Sequence, residues 1–79
     1  MKHDGVVLFH TSSAAIRAEK ILGRESVAVK LIPTPRELSS DCGIALGFQS
    51  VERARVTELL NCAHVETAGI HQMNGGKWI

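Results

Sequence analysis

Two uninterrupted apolar runs constrain the fold of this chain more than any other feature. The first extends from Gly5 to His10 and the second from Gly43 to Phe48, and neither alternates apolar with polar residues. A strand of this composition is buried on both faces, so both runs are predicted to lie in the middle of a sheet. The run from Val27 to Ile32 has one wetter face and is predicted to be an edge strand.

Two helices are predicted between the strands. The first covers residues 14–22 and is expected to end at Gly23, while the second covers residues 51–62 and follows Ser50 as its N-cap. The first helix is preceded by three consecutive hydroxyl residues that could cap it: Thr11, Ser12 and Ser13. A helix start exposes unpaired backbone N–H groups, so it is also a place where an anion can bind.

The order of these elements predicts an α+β fold. A fourth strand over residues 65–73 is followed by a turn signal, Asn74-Gly75-Gly76, and the pattern β-α-β-β-α-β is that of a ferredoxin-like split βαβ unit. Right-handed crossovers place strands one and three at the centre and strands two and four at the edges. Residues 1–79 are therefore predicted to form a single ferredoxin-like domain. It has a four-stranded antiparallel sheet, two helices on one face and a short tail over residues 74–79.

Composition excludes several classes of function. A formal charge of +1 and an aromatic content of 4% are not typical of a protein that binds nucleic acid or an anionic membrane. No apolar run approaches the ~20 residues that span a bilayer, and the first run is too short for a signal-peptide core. We therefore expect a cytoplasmic protein that binds neither nucleic acid nor membrane. In such a reducing compartment the two cysteines are expected to be thiols.

The candidate chemistry lies in the connection between the second and third strands. Pro33 and Pro35 fix φ and remove two backbone donors, which makes this connection stiff. It carries Arg36 and ends at Cys42 and Gly43. In the predicted topology this end of the sheet also holds the start of the first helix. Cys42 is therefore expected to lie near the three hydroxyl residues.

These features suit a cysteine that accepts a group and passes it on. A helix N-terminus or a nearby cation such as Arg36 favours the nucleophilic thiolate form, although the charge of Asp41 works against it. Gly43 leaves the backbone beside the sulfur uncrowded. A hydrolytic cysteine would need a base held beside it, for which His10 and His64 are the candidates by topology alone.

Three further interpretations stay open at this point. Cys62 lies twenty positions from Cys42, which excludes a Cys-x-x-Cys pair, and it is either a structural residue or a resolving thiol. The domain could instead be a non-catalytic module that binds a small ligand or a protein, or that oligomerises, with a passive Cys42. A metal carrier ranks behind both because it needs paired soft ligands, and no metal site is predicted.

The stretch from Pro33 to Gly43 resembles the signature of the Putative Se/S carrier protein-like family of small bacterial and archaeal domains. Its Pro-x-Pro-Arg…Cys-Gly arrangement carries the resemblance, and the first strand ending at Phe9, the Thr11-Ser12-Ser13 turn and Ala18-Glu19-Lys20 are also similar. The resemblance does not extend to Cys62 or to residues 74–79. Gly75-Gly76 is not the terminal pair of a ubiquitin-like sulfur carrier, because three residues follow it.

This resemblance implies that Cys42 is a carrier thiol that holds sulfur or selenium as a persulfide or selenosulfide. It implies no other cofactor, and its partners would be chalcogen donor and acceptor proteins; a homo-oligomer is compatible with it. Arg36 is expected to stabilise the anion. The supporting residues expected around the thiol are Thr11, Ser12, Ser13, Pro33, Pro35 and Gly43.

Overall fold

The computed structural model describes residues 3–38 and 42–79. Its elements in chain order are β1 Gly5–Leu8, α1 Ser12–Arg24, β2 Val29–Pro33, β3 Ile44–Phe48, a 3₁₀ turn Ser50–Glu52, α2 Arg53–Cys62, β4 Gly69–Asn74 and β5 Lys77–Trp78. Five strands form one antiparallel sheet in the order β2-β3-β1-β4-β5. The fold is α+β, as the sequence predicts.

The two apolar runs form neighbouring strands inside the sheet. β1 and β3 pair antiparallel, with Val6 opposite Gly47 and Val7 opposite Leu46. On its other side β1 pairs with β4, while β2 lies at the edge beyond β3. All four residues of β1 and four of the five in β3 are buried, which explains why neither run alternates.

The prediction of four strands with β4 at an edge is wrong. The segment expected to be a short tail returns along β4, where Met73 lies opposite Trp78. Gly75 and Gly76 have φ values of +61° and +82°, which is the backbone geometry of a tight two-residue hairpin turn. Because β5 contains only two residues, it has no alternation by which the sequence could reveal it.

The first helix does not end at the predicted glycine. Gly23 lies inside α1, which continues to Arg24, and the left-handed residue that ends it is Ser26, with a φ of +61°. After α2 the same role falls to His64, with a φ of +56°. A left-handed backbone is costly for residues other than glycine, so both positions are mildly strained.

Both helix ends have the same hydrogen-bonding pattern. The amide of Val27 donates to the carbonyl oxygen of Leu22, and the amide of Val65 donates to that of Leu60, each over 3.0 Å. These are Schellman motifs, in which an apolar residue just beyond the helix packs back against its last turn. All four of these side chains are buried, so burial fixes where each helix ends.

Ser50 does not cap α2 with its side chain as predicted. Its backbone N–H and its hydroxyl both donate to the carboxylate of Asp4, each over 2.7 Å. A 3₁₀ turn begins at Ser50, and α2 begins only at Arg53. The start of this helical segment is therefore tied to the residue that precedes β1.

Both helices pack on the same face of the sheet. Their buried residues share one core with Val7, Phe9, Leu46 and Phe48. On the opposite face a smaller cluster of Val6, Leu8 and Ala45 is partly covered by Ile32, Leu38 and Trp78. Within the described residues, no helix has the length and apolar character needed to cross a membrane.

Two arginines join the helices in a reciprocal way. Arg17 of α1 donates to the carbonyl oxygen of Ala63 at the end of α2, over 3.0 Å. Arg55 of α2 donates to the carbonyl oxygen of Glu25 at the end of α1, over 2.7 Å. A cation at a helix C-terminus satisfies a free carbonyl group and opposes the helix dipole, so each helix stabilises the end of the other.

Candidate functional site

Cys42 is placed at the start of α1. It lies two residues before β3, its side chain is 5% exposed, and its Sγ is 3.7 Å from the Oγ of Ser12, the first residue of α1. This separation is within hydrogen-bonding range for sulfur, and either atom could be the donor while the thiol is protonated. The connection between β2 and β3 thus brings the thiol to the predicted helix start.

Thr34 holds the backbone of Cys42 in place. Its hydroxyl donates to the carbonyl oxygen of Cys42 over 2.9 Å, and its amide donates to the carbonyl oxygen of Gly43 over 3.1 Å. These two bonds join the beginning of the connection to its end. Nothing in the local sequence pattern around Thr34 shows which carbonyl group its hydroxyl will contact.

The three hydroxyl residues at the start of α1 have different roles. Thr11 is the N-cap, and its hydroxyl accepts a 3.2 Å hydrogen bond from the amide of Ala14. Ser12 and Ser13 are both exposed, but only Ser12 faces the sulfur of Cys42, and Ser13 has no hydrogen bond to that sulfur among the described residues. Of the three, Ser12 is therefore the one whose hydroxyl reaches the thiol.

Arg36 lies in a tight turn on the outside of the connection. Pro33 is the last residue of β2, and the amide of Leu38 donates to the carbonyl oxygen of Pro35 over 3.0 Å, which closes the turn around Arg36. The guanidinium is exposed, and within residues 3–38 and 42–79 no hydrogen bond or ion pair joins it to Cys42. Asp41, the opposing charge weighed above, lies outside the described residues.

The second cysteine occupies a different environment. Cys62 is the exposed last residue of α2, whereas Cys42 is buried. No hydrogen bond joins Cys62 to Cys42 in the part of the chain that the structure describes. His10 and His64, the two candidate bases, are both exposed. Among the described residues there is no group of three or more His, Cys, Asp or Glu side chains that could hold a metal ion.

Together the fold and the site define a small α+β protein with one of its two thiols buried at the start of a helix. The chain belongs to the Putative Se/S carrier protein-like family, whose profile matches residues 4–72. This confirms the resemblance seen in the sequence. The match includes Cys42 and ends within β4, so the last turn and β5 lie outside it. No curated protein and no solved structure matches the chain.

Proposed function

We propose that this protein is a carrier that holds sulfur or selenium on Cys42 and passes it to an acceptor. The observation that carries the proposal is the contact of the Cys42 sulfur with Ser12 at the start of α1, in a chain that belongs to this family. A hydroxyl and a helix start both favour the thiolate, which is the form that attacks a donor.

The transfer needs no external oxidant or reductant. The Cys42 thiolate attacks the terminal chalcogen of a donor persulfide or of its selenium analogue; the bond to that chalcogen breaks on the donor side, and the donor thiolate leaves. Attack by an acceptor thiolate on the loaded Cys42 repeats this exchange in the other direction. Donor and acceptor proteins are therefore its proposed partners, and we place this exchange in the cytoplasm. The protein would be a carrier rather than a turnover enzyme.

The surroundings of the thiol receive supporting roles in this proposal. The field of the Arg36 guanidinium assists the anion, while the two prolines stiffen the connection and Gly43 leaves room for a partner. Cys62 is either structural or a resolving thiol that displaces the carried chalcogen. We interpret the architecture as a ferredoxin-like unit extended by β5.

A second candidate is a binding or oligomerisation module in which Cys42 is passive. The observation that favours it is the 5% exposure of Cys42, because an inert structural cysteine is typically buried. A ligand or partner would then be bound by other parts of the surface.

Intact mass spectrometry separates the two functions. After incubation with a cysteine desulfurase and either cysteine or selenocysteine, so that the donor enzyme carries a persulfide or its selenium analogue, the chain should gain one sulfur or selenium atom, which dithiothreitol removes by thiol exchange. Cys42→Ser should abolish the adduct, and the matched variant Cys62→Ser should keep it, or prolong its life if Cys62 is a resolving thiol. A wild type that never gains the adduct, or a Cys42→Ser protein that still gains it, favours the binding module.

A further inference from the structure

The contact between Cys42 and Ser12 has a counterpart elsewhere in the molecule. Ser12 is the first residue of the helix that follows β1, and it contacts Cys42, which precedes β3. Ser50 is the first residue of the helical segment that follows β3, and it is met by Asp4, which precedes β1. Each of these serines therefore contacts the residue that leads into the other central strand.

The correspondence extends over both halves of the chain. Ser12 and Ser50 are 38 positions apart in the sequence, and so are Asp4 and Cys42. The same interval separates the two residues in three other equivalent pairs: the reciprocal arginines Arg17 and Arg55, the left-handed residues Ser26 and His64, and the buried valines Val27 and Val65. The two β-α-β halves are thus built alike, and Cys42 occupies the position that Asp4 occupies in the other half.

The counterpart shows what a helix-start serine does in this fold. Ser50 donates its backbone N–H and its hydroxyl to the two oxygen atoms of the Asp4 carboxylate. These hydrogen bonds hold the pKa of Asp4 below its ordinary value, because they stabilise the charged form. In the half of the molecule where Ser50 lies, such a serine therefore binds an anion.

We propose that Ser12 is a positioning residue for Cys42, whose hydroxyl donates to the Cys42 sulfur when that sulfur reacts as an anion, as the Ser50 hydroxyl donates to the carboxylate of Asp4. An ionised sulfur has no proton to donate, so the Ser12 hydroxyl is the donor in the 3.7 Å contact. The hydroxyl of Thr11 is already engaged in capping the helix, and Arg36 is exposed. This inference rests on the proposed function for its biological meaning, since it names a positioning residue for the thiol that carries the chalcogen.

The pH dependence of alkylation tests this role. Cys42 and Cys62 are labelled with a small reagent across a range of pH, and each is quantified in the same chain by peptide mass spectrometry. Near neutral pH, Ser12→Ala should slow the labelling of Cys42 about three- to tenfold, because a hydrogen bond to a charged group is lost. At pH values well above the ordinary pKa of a thiol, the variant and the wild type should react at the same rate.

Matched controls separate anion binding from packing. Ser13→Ala, in the same exposed turn, and Ser12→Thr, which keeps a hydroxyl, should both follow the wild type, and Cys62 should be unchanged in every variant. A Ser12→Ala rate that differs from the wild type by one constant factor at all pH values, or does not differ, would overturn the proposal. Failure of the carrier function shows instead as a wild type that gains no chalcogen, whatever the alkylation rates are.

Discussion

The hydroxyl of Thr34 donates a 2.9 Å hydrogen bond to the carbonyl oxygen of Cys42. This bond fixes the backbone of a residue that is almost fully buried. Because so little of Cys42 is exposed, the proposed exchange with a donor or acceptor protein requires the chain around Cys42 to open locally. We therefore expect Thr34 to influence how readily Cys42 can be reached, as we propose that Ser12 influences how it reacts.

The first prediction concerns this backbone bond. Thr34→Val removes the hydroxyl with little change in size. It should lower the free energy of local opening at Cys42 by about 1 kcal/mol, which corresponds to about a fivefold increase in the population in which Cys42 is exposed. Labelling of Cys42 by a bulky thiol reagent should therefore accelerate about fivefold. Thr34→Ser keeps the hydroxyl and is the control. If the valine variant is labelled at the wild-type rate, the bond to the Cys42 carbonyl does not limit access.

The second prediction compares the two thiols. Near neutral pH, Cys42 should react with a small alkylating reagent faster than Cys62, although Cys62 is exposed, because Cys42 lies at a helix start with Ser12 beside it. Arg36→Ala should slow the labelling of Cys42 by a smaller factor than Ser12→Ala does. Added salt should reduce the difference in rate between Arg36→Ala and the wild type, because salt screens an exposed charge.

Arg24 provides the matched control for Arg36, because it is also exposed but lies at the far end of α1. Arg24→Ala should leave the labelling of Cys42 unchanged. Equal rates for the two cysteines would contradict an activated Cys42, and an unchanged rate in Arg36→Ala would remove that arginine from the site.

How far the sequence predicts this fold depends on the length of each pattern. β1 and β3 are long apolar runs between turn residues, so their central position could be predicted from burial alone. β5 has two residues and no period, and it forms because the two glycines before it can both adopt left-handed geometry. The end of α1 was misplaced because Gly23 suits a helix end in isolation. The packing of Val27 against the last turn instead places the left-handed residue at Ser26.

The site was predictable in its location and not in its contacts. Topology places the end of the β2–β3 connection beside the start of α1, and that is where Cys42 lies. Which of three consecutive hydroxyls faces the sulfur depends on the extended backbone of Thr11, which takes the cap and leaves Ser12 as the first helical residue. The bond between Asp4 and Ser50 joins residues 46 positions apart, and no local pattern reveals such a partner.

The third prediction concerns Gly23 and Ser26, two residues near the end of α1. Gly23→Ala should raise the free energy of unfolding by about 0.5–1 kcal/mol, because Gly23 is a helical residue and an added Cβ would meet nothing within 4 Å. Ser26→Gly should also stabilise, by about 0.5 kcal/mol, because it relieves a left-handed backbone at the cost of a more flexible unfolded chain. Chemical denaturation measures both.

Ser26→Ala is the control for the helix end. It keeps a Cβ in the left-handed position, so it should not stabilise the protein as Ser26→Gly does. If Gly23→Ala destabilises the protein instead, Gly23 rather than Ser26 carries the special backbone geometry at this helix end.

The last prediction concerns Asp4, whose carboxylate accepts two hydrogen bonds from Ser50. The backbone N–H of Ser50 is the main cause that holds the pKa of Asp4 below its ordinary value, and the serine hydroxyl adds to it. Because the pKa is lower in the folded chain, this pair stabilises the fold at pH values above the ordinary pKa of an aspartate. The contribution is lost as the pH falls through the lower, folded-state value.

Asp4→Asn should therefore be less stable than the wild type at about pH 7, and the difference between the two proteins should shrink as the pH falls below the ordinary pKa of an aspartate. Urea denaturation at several pH values measures the difference in free energy of unfolding between the two proteins. Because the other carboxylates titrate in both proteins, the pH dependence of this difference reports on Asp4. Glu66→Gln, at an exposed position with no hydrogen bond or ion pair in the described residues, is the matched loss of one carboxylate. If the stability difference of Asp4→Asn changes with pH no more than that of Glu66→Gln, Ser50 does not stabilise the charge of Asp4. The anion-binding counterpart on which the role of Ser12 rests would then be lost.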